Sequence, residues 1–112
     1  MSDEDSPAIL TVFRSRLRSD AEALGYHEVA DEMERQARAM PGFLEFKTFT
    51  ADDGERVSLA MFDSIDNHHR WRDHPAHQTA QQRGRADFYT EYRITVGQVV
   101  REISFTADQC LD

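Results

Sequence analysis

The chain has 112 residues, enough for one domain that buries about two thirds of its unfolded surface, so a single core is all it can build. Its 13 Lys and Arg against 21 Asp and Glu leave a formal charge of −8, which repels phosphate backbones and anionic lipid and makes nucleic acid and membrane surfaces poor partners. The one cysteine, Cys110, can neither staple a fold nor build a multi-cysteine metal site, and a reducing cytoplasm is the expected location.

The acidic start, Met1 to Ser6, has no apolar run behind a basic region, so it does not read as a signal peptide. Residues 1 to 7 and 106 to 112 read as loosely ordered ends around a core of about 8 to 105, and the whole chain, 1 to 112, as one domain. Ile9 to Phe13 is rich in β-branched and apolar residues and continues to Leu17 as a first strand. Ser19 or Asp20 can cap a helix whose apolar positions, Tyr26, Val29, Ala30, Met33, Ala37 and Met40, keep helical spacing. Gly25 weakens its first turns, so the regular helix is expected from Tyr26. Pro41-Gly42 ends it and launches a strand from Phe43 to Thr50. Asp53-Gly54 favours a hairpin turn into a third strand, Arg56 to Phe62.

Asp63 or Ser64 can cap a second helix from about Ile65 to Asp73, which Pro75 stops. A further helix from Ala76 to about Arg83 meets Gly84, and a long last strand is expected from Tyr92 to Phe105. The order is β-α-β-β-α-β with the second helical region broken in two. That order makes an α+β, ferredoxin-like antiparallel sheet with helices on one face.

The strands are apolar on both faces: Leu10 and Val12 oppose Ile9 and Phe13, Leu44 and Phe46 oppose Phe43 and Phe49, and Val57, Leu59 and Met61 oppose Ala60 and Phe62. The helices can cover only one face. A second copy laid sheet against sheet would cover the other, which predicts a homodimer with the last strand reaching across to the partner.

The glycines are scattered, so no phosphate-cradling loop or dinucleotide fingerprint is present. His68, His69, His74 and His77 fall within ten positions, but His68 and His69 point about 100° apart on a helix and Pro75 separates His74 from His77. A solvated helix face is the default reading of this group, with no metal and no bound cofactor expected. Asn67 and Trp71, four residues apart, share a helix face, and His77 can move protons near neutrality. An amide, an indole N–H and an imidazole are groups that can hold an oxygen-rich aromatic ring and accept its acidic proton.

The segment from Met40-Pro41-Gly42-Phe43 to Asp66-Asn67-His68-His69-Arg70-Trp71 and His77 resembles the antibiotic biosynthesis monooxygenase family, small dimeric α+β barrels that include heme-degrading relatives. In cofactor-independent members an Asn and a Trp one helical turn apart, with a proton-handling side chain six residues on, line the pocket. The resemblance places Asn67, Trp71 and His77 on those positions as catalytic residues, with His77 where the best-characterised aromatic oxidations use a tyrosine. Heme-degrading relatives pair the helix tryptophan with a ligating histidine ten positions later and an asparagine near the end of the first strand. This chain has Gln81 and Ser15 at those positions, and Gln81 cannot replace an imidazole as an axial ligand. The resemblance therefore implies a cofactor-free monooxygenase acting with O2 on a small electron-rich aromatic such as a quinol or anthrone. Its alternatives are a non-catalytic dimeric barrel that binds a small apolar metabolite, and a divergent heme-degrading relative.

Overall fold

The computed structural model describes residues 6–107. Cys110, and most of the two ends expected to be loose, lie outside the described residues. In chain order the elements are β1 (Ile9–Leu17), α1 (Tyr26–Arg38), β2 (Phe43–Thr50), β3 (Arg56–Phe62), α2 (Ile65–Arg72), α3 (Pro75–Arg83), a π-helical turn (Gly84–Phe88) and β4 (Tyr89–Gln98). The four strands form one antiparallel sheet in the order β2-β3-β1-β4. This is the ferredoxin-like arrangement that the alternation of elements predicts.

Helix starts and stops follow local chemistry. The regular part of α1 does begin at Tyr26, but its cap is Gly25 at φ 98° rather than Ser19 or Asp20, with no side chain capping it. Asp20 is instead taken by the Arg18 guanidinium at 2.9 Å, and residues between β1 and α1 form a run of turns. Ser64 caps α2, its Oγ accepting from Asn67 N–H at 3.2 Å. His74 caps α3, its Nδ1 accepting from Ala76 N–H at 3.1 Å, and Pro75 occupies the first helical position, where its missing donor costs nothing.

Two expectations about the strands are corrected. In β2 a bulge lies between Phe43 and Glu45, so Phe43, opposite Phe62, and Phe46, opposite Ala60, share the helix-covered face while Leu44 is displaced. Simple alternation would have put Phe43 and Phe46 on opposite faces. The last strand runs over Tyr89–Gln98, not Tyr92 to Phe105. As an edge strand β4 can pair only with β1, and the ladder ends where β1 begins, at Ile9 opposite Gln98. Val99 N–H still donates to Ala8 O at 2.9 Å, after which Val100, Ile103 and Phe105 stand exposed.

Helices cover one face of the sheet, and the core beneath them is divided. One buried group, Ala21, Tyr26 and Phe88, gathers Leu17, Val29 and Tyr89 at one end; another, Ala37, Phe62 and Trp71, gathers Met33, Met40, Phe43 and Phe46 at the other. On the open face, Leu10, Val12, Val57, Leu59 and Met61 are half-buried, and Phe49 is exposed. Beyond them Arg14 and Arg16 reach Glu55 and Asp53 of the β2–β3 turn, each at 2.8 Å. Among the described residues no helix is long and apolar enough to cross a membrane.

The β2 and α2 starts are tied through a glycine. Gly42 has φ 76°, its carbonyl accepts from Asp63 N–H at 2.9 Å, and a Cβ there would collide with the side chains of Asp63 and Asn67. Gly42→Ala should therefore destabilise the fold by about 2 kcal/mol or more, combining left-handed strain with the clash, as a shift in the denaturant midpoint would show.

Candidate functional site

Between the helices and the covered sheet face lies a cavity of about 560 Å³, inside the range of roughly 300–1,000 Å³ usual for small-molecule sites. It opens between the two core groups. Trp71, His77 and His68 line it at one end, while Tyr26, Tyr89 and Arg56 line it at the other.

The corner between α2 and α3 sets the first end. The last turn of a helix leaves carbonyls short of intrahelical partners; His74 N–H reaches Trp71 O at 3.1 Å, and α3 turns back so that its side chains add further donors. His77 Nδ1 lies 3.1 Å from Trp71 O, and Gln78 Nε2 donates to Arg72 O at 2.7 Å. A carbonyl only accepts, so Nδ1 carries the proton and Nε2 of the neutral ring is the free acceptor. The same fold-back stacks the imidazole on the indole, with ring centroids 4.5 Å apart and planes at 15°. Trp71 is 6% exposed. Burial is the main cause holding the His77 imidazole below the ordinary histidine pKa, against the opposing pull of the bonds to the Trp71 and Arg72 backbone. The ring is thus kept neutral at physiological pH.

Of the three residues singled out in the sequence, the structure brings Trp71 and His77 together and leaves Asn67 apart. Asn67 does not line the cavity. Its Nδ2 donates to Asp63 Oδ1 at 2.8 Å, its Oδ1 accepts from Arg70 at 3.3 Å, and its side chain fills the space that Gly42 leaves open. Asp63 and Arg70 satisfy both ends of the amide at the start of α2.

The solvated-face reading, already overturned for His77, is also corrected for His68. His68 is buried, lines the cavity, and is held below the ordinary histidine pKa chiefly by burial, with the positive charges of His69 and Arg72 adding to the shift. The signal was available, since His68 stands three residues before Trp71 and shares its helix face. His74 is half-buried as the α3 cap, while among the described residues no three His, Cys, Asp or Glu side chains come together as a metal-binding group. Ser15 and Gln81, at the positions where heme-degrading relatives carry asparagine and histidine, both line the cavity.

The opposite end is aromatic. Tyr26 meets Phe88 and Tyr89 edge-on at 5.5 and 6.2 Å, and Phe13 meets Tyr89 at 5.4 Å. Gly84 is buried against the Tyr89 ring, where a Cβ would clash, and Tyr89 N–H closes the π turn on Gly84 O. Burial pushes the Tyr89 phenol up, so it stays protonated. Arg56 lies 5.4 Å from the Tyr26 ring centroid, and its Nε is buried without a hydrogen-bond partner. An unmet buried donor costs about 1–3 kcal/mol.

A four-stranded antiparallel sheet with helices on one face and a ligand-sized cavity between the layers defines the class: a ferredoxin-like α+β protein with a pocket under its helices. A model of the family described as antibiotic biosynthesis monooxygenase matches residues 8–83, and the chain belongs to that family. It is 32% identical over 105 residues to the uncharacterized protein YqjZ of Bacillus subtilis (strain 168), an alignment covering 94% of this chain and 91% of that one. Its fold is similar to that of Rv0793 from Mycobacterium tuberculosis, with TM-score 0.76 at 20% identity over 87% of this chain and 99% of that one. A mutant of SnoaB, a cofactor-independent oxygenase from Streptomyces nogalater, gives TM-score 0.73 at 14% identity over 88% and 98% of the two chains.

The buried histidines set a pH window for stability. His68 and His77 have folded-state pKa values below the ordinary value near 6.5, so on acidification the unfolded chain takes up protons first. Stability should hold above about pH 6.5 and fall as pH drops below it, until the folded-state values are passed. Carboxylates held low, Glu55 by Arg14 and Asp53 by the Glu55 backbone N–H together with Arg16, act in a separate, more acidic window below about 4.5. Melting temperatures at about pH 7.5, 6.5 and 5.5 should decline together, and His68→Gln and His77→Gln should each flatten that decline.

Proposed function

We propose that this protein is a homodimeric monooxygenase that needs no bound cofactor and oxidises an electron-rich aromatic of the quinol or anthrone type with O2. The observation that carries the reading is the His77–Trp71 stack in the cavity wall, with Nδ1 engaged by a backbone carbonyl and Nε2 left as a free base. His77 removes a phenolic or activated C–H proton, and its lowered pKa keeps it ready to do so at neutral pH. The Trp71 indole N–H donates to the oxyanion that forms, in surroundings of low polarity that strengthen the bond. The anion passes an electron to O2, and the substrate and superoxide radicals combine to a peroxide. For an anthrone, loss of water from that peroxide turns the methylene into a carbonyl. One oxygen atom stays on the product and the other leaves as water, so the substrate supplies both electrons and the protein supplies position and a base.

Membership of the family and the likeness to SnoaB, an oxygenase named as cofactor-independent, support this reading. Asn67 acts differently in it from the oxyanion donor that the resemblance implies. With its amide bound to Asp63 and Arg70, it fixes the start of α2 and so positions Trp71 one turn on. That same placement is what favours the competing reading, a dimeric barrel that binds a small apolar metabolite without turnover.

Oxygen uptake with a panel of quinols and anthrones separates the two. His77→Ala should lower turnover roughly a hundredfold or more with binding nearly intact, and the parent's acid limb should lie below the usual histidine range and vanish in the variant. Trp71→Phe should lose activity in a stable protein, whereas Trp71→Ala should also cost about 3–5 kcal/mol of stability. No oxygen uptake on any substrate, with ligand binding retained, would leave the binding-only barrel.

The dimer rests on the open sheet face, where Leu10, Val12, Val57, Leu59 and Met61 have no helix over them. Sedimentation at micromolar concentration should report two chains. Val12→Asp should yield a monomeric or insoluble protein, because an unpaired buried charge costs several kcal/mol. A monomeric parent would remove the dimer from the proposal.

A further inference from the structure

We infer that Arg56 is an anion-anchoring subsite and that the cavity's ligand is an elongated aromatic carrying a carboxylate. This deepens the reading of the cavity as a substrate site and names the substrate's chemical class.

Arg56 stands at the start of β3 on the covered face, directly opposite Ser15 of β1, which is 3% exposed. Both line the cavity. The face of the Tyr26 ring takes one side of the guanidinium, at 5.4 Å, which holds the plane in place without using its N–H groups. Its Nε is enclosed without a hydrogen-bond partner, and among the described residues its terminal Nη groups make no hydrogen bond and no carboxylate lies within ion-pair distance. The neighbouring acid, Glu55, is already gripped by Arg14 through two bonds of 2.8 and 3.0 Å on the other face of the sheet. A guanidinium in the cavity wall whose terminal Nη donors are unpaired matches the oxygens of a carboxylate.

The geometry also constrains the rest of the ligand. Arg56 belongs to the end of the cavity walled by Tyr26, Phe88 and Tyr89, whereas Trp71 packs with Phe62 at the other end. Six residues of strand separate Arg56 from Phe62, about 20 Å of rise. A ligand held by its acid at Arg56 therefore presents a distal aromatic portion toward Trp71 and His77, with aromatic walls along its length. A small neutral quinol would leave the guanidinium unmet. An aromatic acid satisfies it.

The test needs no turnover. Anthraquinone-2-carboxylate and its neutral carboxamide are matched, redox-stable probes, and Trp71, the only tryptophan in the chain, lines the cavity and reports their binding by fluorescence quenching. The wild-type protein should bind the carboxylate roughly ten- to a hundredfold more tightly than the amide, the factor expected of a charge-assisted bond to a buried donor. Arg56→Gln should bring the ratio near one, with the loss falling mainly on the carboxylate. If Arg56→Gln melts below the assay temperature, Arg56→Lys replaces it and should lower the ratio several-fold, because a point charge cannot copy the fork. Equal binding of the two probes, binding of neither, or a preference that survives substitution of Arg56 overturns the inference. The two proposals fail separately. A protein that selects the acid through Arg56 but consumes no O2 with any substrate refutes only the oxidation, whereas one that oxidises neutral quinols without selecting the acid refutes only the anchor.

Discussion

The carbonyls that α2 presents at its end are the constraint on which this site depends. A helix that stops inside a small domain must find donors for its last turn, and here His74 N–H reaches Trp71 O at 3.1 Å while α3 folds back to add His77 at that carbonyl and Gln78 at Arg72 O. His74 and Pro75 make the reversal sharp, one by capping α3 and the other by starting it. The imidazole is stacked on Trp71 because it is committed to the Trp71 carbonyl, and its tautomer is set by the same bond. Satisfying the backbone thus orients a ring able to act as a base.

A second constraint is the divided core. A domain of 112 residues has little apolar material to spare, yet this one keeps two buried groups with a cavity between them instead of closing the layer. Small side chains on the covered face, Thr11, Ser58 and Ala60, leave the space, and aromatic rings at each end keep it from collapsing. The walls of the void forgo dispersion attraction to one another, a standing cost that a bound aromatic would recover. The open sheet face poses the same problem at a larger scale, and a second copy of the chain is the proposed answer to it.

Much of the fold was legible in the sequence because its punctuation is local. Gly25, Pro41-Gly42, Asp53-Gly54, Ser64 and Pro75 each act within a few residues, so the element order and most boundaries follow from them. What escaped was non-local. The end of β4 is decided by where β1 starts, and the bulge that turns Phe43 and Phe46 to one face is decided by their pairing with β3. The site divides in the same way. Trp71 and His77 could be paired from spacing and resemblance, but the direction of the Asn67 amide depends on Gly42, Asp63 and Arg70, which periodicity does not bring together. Arg56 gave no signal at all, since an arginine at the start of a hairpin strand ordinarily reads as solvated.

Arg56 also bears on how a chain of net charge −8 could hold an anion. The outer charges act across water and are screened beyond about 8–10 Å at physiological ionic strength. They slow the approach of an anion but weigh little on a group already inside. Within the cavity Arg56 itself counts for more, because its neighbours in sequence are occupied elsewhere, Glu55 by Arg14 and Asp53 by Arg16, and the acids of the cavity wall, Asp31 and Glu34, stand on α1 and make no ion pair with it. Those two ion pairs lie on the far face of the sheet, so the chain spends its local carboxylates on outer arginines and leaves the inner one open. Local pairing, and not net charge, therefore leaves Arg56 free to meet a ligand's anion.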